Sequence, residues 1–216
     1  GGAWMADCQS RLKTEAIEQI PVAYMTCNFT PPVGDKRVLL THNEVETLFH
    51  EFGHGLHGIM TQMDYPTFSG VDGPRDYTEF PAQILEHWTS EPEMLELYAR
   101  HYETGEPIPD DLVEKIRKSR HFNQGFATVE YLASALVDMK LHLAGDVQID
   151  PDRFERETLR ELGMPPQIVM RHRTPHFAHI FAGDGYSAGY YSYLWSDALT
   201  ADAIEVFEEA GSYFDK

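Results

Sequence analysis

The run His50-Glu51-Phe52-Gly53-His54 sets two imidazoles four residues apart, with a carboxylate directly after the first. On a helix, residues four apart share a face, with Cβ atoms ~5–6 Å apart. From there two imidazoles reach one Zn²⁺ at about 2.0–2.1 Å each. Glu51 then projects beside the first histidine. There it can take a proton from a water held by the metal without itself ligating. A chance pair of histidines on an amphipathic helix is the bland alternative.

The flanks predict the helix that this chemistry needs. Thr41-His42-Asn43-Glu44 reads as a capping box, with Thr41 as N-cap and Glu44 reaching back from the third helical position. Val45, Leu48, Phe49, Phe52, Leu56, Ile59 and Met60 keep helical spacing, which predicts a helix from about Asn43 to about Gln62. Gly53, Gly55 and Gly58 weaken it by up to ~1 kcal/mol each relative to Ala. Close approach of another backbone, or room for a metal and a substrate, would explain them. Glu46 precedes His50 by one turn and is a candidate to hold the second N–H of its imidazole. A solvated helix charge fits Glu46 equally well.

A helix supplies two ligands, so a third must come from elsewhere. His57 lies about 10.5 Å along the axis from His50, too far to share one ion with both. It reads instead as a hydrogen-bonded histidine of the core or just behind the metal ligands. A carboxylate from a later helix is the expected third ligand. The stretch Arg75 to Trp88 offers Glu79 and Glu86, which share a helical face. Pro66, Gly70, Gly73 and Pro74 in the preceding linker suit a chain reversal. Spacing alone does not choose between the two glutamates.

Three ordered blocks carry a more specific likeness. They are His50–His54; Gly73-Pro74-Arg75-Asp76 with Glu79-Phe80-Pro81-Ala82-Gln83 and Glu86-His87-Trp88; and Phe177-Ala178-His179-Ile180-Phe181 with Gly185-Tyr186-Ser187-Ala188-Gly189-Tyr190-Tyr191-Ser192-Tyr193-Leu194-Trp195. Together they resemble the thimet oligopeptidase family of zinc peptidases, and within it the bacterial peptidyl-dipeptidases (dipeptidyl carboxypeptidases). The resemblance implies one Zn²⁺ on His50, His54 and Glu79, with Glu51 as general base. Glu86, which shares a face with Glu79, then reads like Glu46 as an outer carboxylate behind the ligands or as a solvated helix charge, the first favoured by that shared face. The resemblance also implies that His179, Tyr186, Tyr190 and Tyr193 meet the substrate, with His179, Tyr190 and Tyr193 as donors to it and to the oxyanion. The implied reaction is hydrolysis of short peptides, releasing C-terminal dipeptides. Internal cutting, or metal binding without turnover, are the alternatives. The chain departs from the family's Phe-x-Gly-Gly-Tyr loop by one residue, reading Phe181-Ala182-Gly183-Asp184-Gly185-Tyr186. By the same likeness, residues 1–216 are one piece of a larger catalytic domain, with an N-terminal region and the last helices absent. Such a piece alone is expected to turn over little.

Composition narrows the partners. With 35 acidic against 17 basic residues and a net charge of −18, neither nucleic acid nor an anionic membrane is an expected partner. Cys8 and Cys27 are too few for a disulfide framework and read as free thiols of a cytoplasmic protein. No segment reads as a signal peptide or a membrane span.

The rest of the chain predicts a mainly α fold with one small hairpin or sheet near the N-terminus. The best strand is Val22 to Phe29, with Arg37 to Leu40 as its partner across Pro31-Pro32-Val33-Gly34. Ser90-Glu91-Pro92-Glu93 reads as a second capping box, opening a helix to about Glu103. Asp110 begins another helix, interrupted at Gly125 before a run to about Leu143. Asp150-Pro151 opens the next, ending near Gly163. Tyr186 opens the last, to about Glu209, which would put Tyr186, Tyr190 and Tyr193 on one stripe. An aromatic stripe is more often core than site. Arg171 and Arg173 could grip a peptide carboxylate, although surface ion pairs are the commoner use of such residues.

Overall fold

The computed structural model describes residues 2–214. The fold is mainly α. The chain divides into two compact units, one containing residues up to Glu114 together with those from Trp195 onward, the other Lys115–Leu194.

The first unit opens with four short strands: β1 (Trp4–Gln9), β2 (Leu12–Lys13), β3 (Glu18–Gln19) and β4 (Val22–Thr26). β1 pairs antiparallel with β4, with Met5 opposite Met25 and a bulge between Asp7 and Gln9. β2 pairs with β3. The strand expected at Val22 is therefore present, but its partner is β1. Residues 37–40 form no strand. After β4 the chain is drawn to the start of the next helix instead. Glu44 Oε1 accepts from Thr30 N at 3.0 Å and from Thr30 Oγ1 at 2.9 Å.

That helix, α1 (His42–Ile59), starts at the capping box read from sequence. Thr41 Oγ1 accepts from Glu44 N at 3.3 Å, and Glu44 Oε2 accepts from Thr41 N at 2.8 Å. The Thr41 amide first, then the Thr30 amide and hydroxyl, hold the Glu44 carboxyl down at about 2. α1 packs on β1, β4 and α2 (Phe80–Glu86). Gly53 permits the last contact, because a Cβ there would stand 2.5 Å from Pro81 O and 2.6 Å from Ala82 Cα. Gly58 packs against β1, where a Cβ would meet Met5 Cε at 2.7 Å.

α3 (Pro92–Tyr98) is shorter than expected, and its N-cap is Glu91 rather than Ser90. A 3-10 turn over His87–Ser90 precedes it and occupies the segment the second capping box needed. Trp88 packs edge-on against Phe207 and Tyr213, at centroid distances of 5.0 and 5.2 Å.

The second unit contains α5 (Gln124–Leu143) and α6 (Pro151–Glu161), after α4 (Asp110–Ser119) has led into it. The interruption before α5 falls at Asn123, not Gly125, and Asn123 takes the left-handed φ of 55° that asparagine tolerates. Asp150 caps α6, accepting from Arg153 N at 3.0 Å. Ala133, Val137, Leu159, Met170, Phe177 and Ile180 form the unit's core. The last helix, α7 (Ser192–Ala210), begins six residues later than Tyr186. Ala188 has φ 54°, which breaks any helix through it. Tyr186 and Tyr190 therefore precede α7, only Tyr193 lies on it, and the single helical stripe does not form.

Among the described residues no helix is long and apolar enough to cross a membrane. Cys8 and Cys27 are free.

Candidate functional site

α1 and the start of α2 meet through Gly53, and this contact brings three side chains together. His50 Nε2 lies 3.2 Å and His54 Nε2 3.1 Å from the same oxygen, Glu79 Oε2. The helical spacing sets the two rings 4.9 Å apart, edge to face. Glu79 is the N-cap residue of α2, immediately before Phe80-Pro81. Ligand atoms of His50, His54 and Glu79 all lie within 4.8 Å of one another. Two imidazole nitrogens and one carboxylate oxygen suit a borderline-soft divalent ion.

The electrostatics point the same way. Burial pushes the His50 imidazolium down, yet hydrogen bonds and charge from Glu79 and Glu86 raise it to about 10. Burial pushes the Glu79 carboxyl up, and its contacts with His50 and His54 bring it down to about 2. The trio thus favours a cation among its members, and a proton and a metal ion would compete for it.

Glu51 is buried between these histidines along the helix, and its Oε2 has no hydrogen-bond partner among the described residues. An unpartnered buried carboxylate oxygen is costly in a finished core. Burial pushes its carboxyl up, opposed by the charges of His50 and His54. Cys27 stands near enough for the Glu51 charge to add to burial in raising its thiol.

The outer carboxylates divide unevenly. Glu86, the last residue of α2, places Oε1 2.6 Å from His50 Nδ1. Glu46, the other candidate, instead faces His42, with Oε1 3.4 Å from His42 Nε2. One turn back along α1 points it toward the helix start rather than toward the His50 ring. Asp197, which sequence reasoning did not single out, has a carboxyl raised by burial and by the Glu86 charge, and lowered by His87. His57 is half-buried with its ring edge-on to Tyr77 at 6.3 Å. Burial and the His54 charge push its imidazolium down.

In the second unit, His179 gathers the three tyrosines although no single helix carries them. Its ring lies 5.0 Å from Tyr186, 5.5 Å from Tyr190 and 5.9 Å from Tyr193. Tyr193 Oη is 3.4 Å from His179 Nε2. Burial pushes the Tyr190 phenol up. The inserted Asp184 is exposed, in the turn between Gly183 and Tyr186. Arg173 is engaged in ion pairs with Glu155 and Asp152, each at 2.7 Å. Arg171 is exposed.

Tyr131 and Asp138 on α5 were not singled out from sequence, yet both hold the segment that carries Tyr190. A signal was present. Asp138 stands at the end of the apolar run Leu132-Ala133-Ser134-Ala135-Leu136-Val137, with His142 one turn on. An aspartate in such a run needs a partner.

The family model described as Peptidase family M3 matches residues 1–215. Oligopeptidase A of Escherichia coli (strain K12) is 46% identical over 221 residues, covering 99% of this chain and 32% of that protein. Dipeptidyl carboxypeptidase of the same strain is 45% identical over 214 residues, covering 98% and 31%. Saccharolysin of Saccharomyces cerevisiae is 37% identical over 194 residues, covering 87% and 27%. The chain thus spans about a third of the length of the curated relatives it matches.

Proposed function

The chain belongs to peptidase family M3, and on that premise we propose that it is a segment of the catalytic domain of a longer zinc peptidase that hydrolyses short peptides. The observation that carries this is the convergence of His50 Nε2 and His54 Nε2 on one Glu79 oxygen, beside a buried, unpartnered Glu51.

His50, His54 and Glu79 would hold the ion. When bound, zinc would supply Lewis acidity, making water acidic enough to ionise near neutral pH and polarising the scissile carbonyl. Glu86 accepts the Nδ1–H of His50, which fixes the tautomer and leaves Nε2 as the ligating nitrogen. Glu51, with a free oxygen and a raised pKa, takes the proton of the attacking water and returns it to the leaving amine. The hydroxyl of Tyr193 or Tyr190 and the imidazole of His179 donate to the oxyanion and the substrate backbone, and Tyr186 flanks them. Support for these donor roles is the clustering of the four rings together with the matching sequence block.

Removal of C-terminal dipeptides and internal cutting are both in play, because relatives named dipeptidyl carboxypeptidase and oligopeptidase A match at 45% and 46% identity. Of the two we propose dipeptide release. Mass spectra of products from one peptide, with a free and an amidated C-terminus, test this on the full-length enzyme. Cleavage that needs the free carboxylate supports dipeptide release. Internal cuts in the amidated peptide make the enzyme an oligopeptidase, and no cuts in either leave a metal-binding segment. The two free thiols fit a reducing, cytoplasmic compartment.

A further inference from the structure

We propose that Asp138 and Tyr131 are positioning residues for this hydrolysis, holding the backbone of Tyr190 at both its N–H and its C=O so that the phenol has one orientation. The inference rests on the reading of Tyr190 as a donor to substrate or oxyanion.

Tyr190 N donates to Asp138 Oδ2 at 2.9 Å, and Ala188 N donates to Asp138 Oδ1 at 3.0 Å. Amides two residues apart, bracketing a left-handed residue, make a concave anion site. Ala188 supplies the left-handed turn, with φ 54°. The anion in that concavity is the side chain of Asp138, which is 0% exposed. His142 Nδ1 lies 2.8 Å from Asp138 Oδ1, one turn along α5. At the other end of the residue, the Tyr131 hydroxyl donates to Tyr190 O. The same hydroxyl accepts from Leu194 N at 3.2 Å, and the Tyr131 ring stacks on the Tyr190 ring at 5.3 Å and 26°. Tyr131 and Asp138 are seven residues apart on α5, so one helix face supplies both contacts.

A buried carboxylate is a poor device for stability alone, since well-packed apolar residues usually do as well. What it adds is geometric definition. Asp138 and Tyr131 leave Tyr190 neither a free amide nor a free carbonyl, at the point where the chain leaves the glycine-containing turn. Tyr186, on the far side of Ala188, has no such hold from Asp138. A purely structural alternative exists, in which Asp138 and Tyr131 merely secure the start of α7.

A double-mutant cycle on the full-length enzyme, with zinc content verified, separates the two. Tyr131→Phe removes only the hydroxyl. If it acts through Tyr190, kcat falls about tenfold or more with KM unchanged, a loss within the reach of a misplacement on the ångström scale. It then costs nothing further in the Tyr190→Phe background. A Tyr131→Phe enzyme with undiminished kcat, or losses that multiply in the double variant, overturns the proposal. Undiminished kcat in Tyr190→Phe removes the underlying donor role and the proposal with it. Loss in Tyr190→Phe without loss in Tyr131→Phe removes only the positioning role. Asp138→Asn should show the same non-additivity, with faster amide exchange at Ala188 and Tyr190. Retained protection there contradicts the clamp. Should that variant fail to fold, the Tyr131→Phe cycle alone decides.

Discussion

His50 Nδ1 lies 2.6 Å from Glu86 Oε1, across the contact between α1 and α2. The pair sets which imidazole nitrogen remains for a metal, because a ring that donates from Nδ1 presents Nε2 toward Glu79.

Glu86→Gln should keep one equivalent of zinc at saturation but weaken its binding by about 10–100-fold, as loss of such an outer partner does. His54→Ala and Glu79→Gln should lose the metal on dialysis. Elemental analysis and competition with a chelator read both. Metal lost in Glu86→Gln and kept in Glu79→Gln would exchange the two roles.

Gly53→Ala should be costly in a way that Gly55→Ala is not. A Cβ at Gly53 meets Pro81 O at 2.5 Å, whereas one at Gly55 meets nothing within 4 Å. Separating α1 from α2 should cost on the order of 1–3 kcal/mol. It should also weaken zinc binding, because Glu79 directly precedes α2. Urea unfolding and zinc titration together check this. Equal stability in the two variants would mean that the close approach is not required.

How much was legible in sequence follows from how local each feature is. The α1 cap, the His50–His54 face and the Asp150 cap depend on residues within one turn of each other, and their types declare them. The choice between Glu79 and Glu86 was not local. It turns on which end of α2 approaches His50 Nε2, and only the family likeness favoured Glu79. The β4 partner was misjudged because hairpin signals favour the nearer strand, while β1 lies across a longer loop and a second small ladder. The spacing of Tyr186, Tyr190 and Tyr193 predicts one helix, because aromatic spacing alone carries no sign of a left-handed alanine at position 188. The amides that would have continued that helix go to Asp138, a contact 50 residues away in sequence.

Glu44 gives a pH-dependent test away from the metal. The folded state holds its carboxyl at about 2, against an ordinary 4.5. Its stabilising contribution is therefore complete above the unfolded value and is lost as pH falls through about 2. The Tm gap between wild type and Glu44→Gln should be full at about pH 6 and narrow below about pH 4. A gap that stays constant through that range would show that the charge is not what caps α1.

Tyr193→Phe should leave folding and zinc content unchanged and lower kcat by about 10²–10³, the usual loss for one oxyanion donor. A core tyrosine would instead lower Tm and spare kcat. Loss of kcat in Tyr190→Phe alone would move the donor role to the residue that Asp138 holds.

The proposed chemistry depends most directly on Glu51 as a base that is not a ligand. The decisive measurement is zinc content and kcat of full-length Glu51→Gln, made side by side on one preparation. One equivalent of zinc with kcat reduced by at least about 10²–10⁴-fold is the expected result. Near-normal turnover with zinc bound would contradict it, and so would loss of the metal.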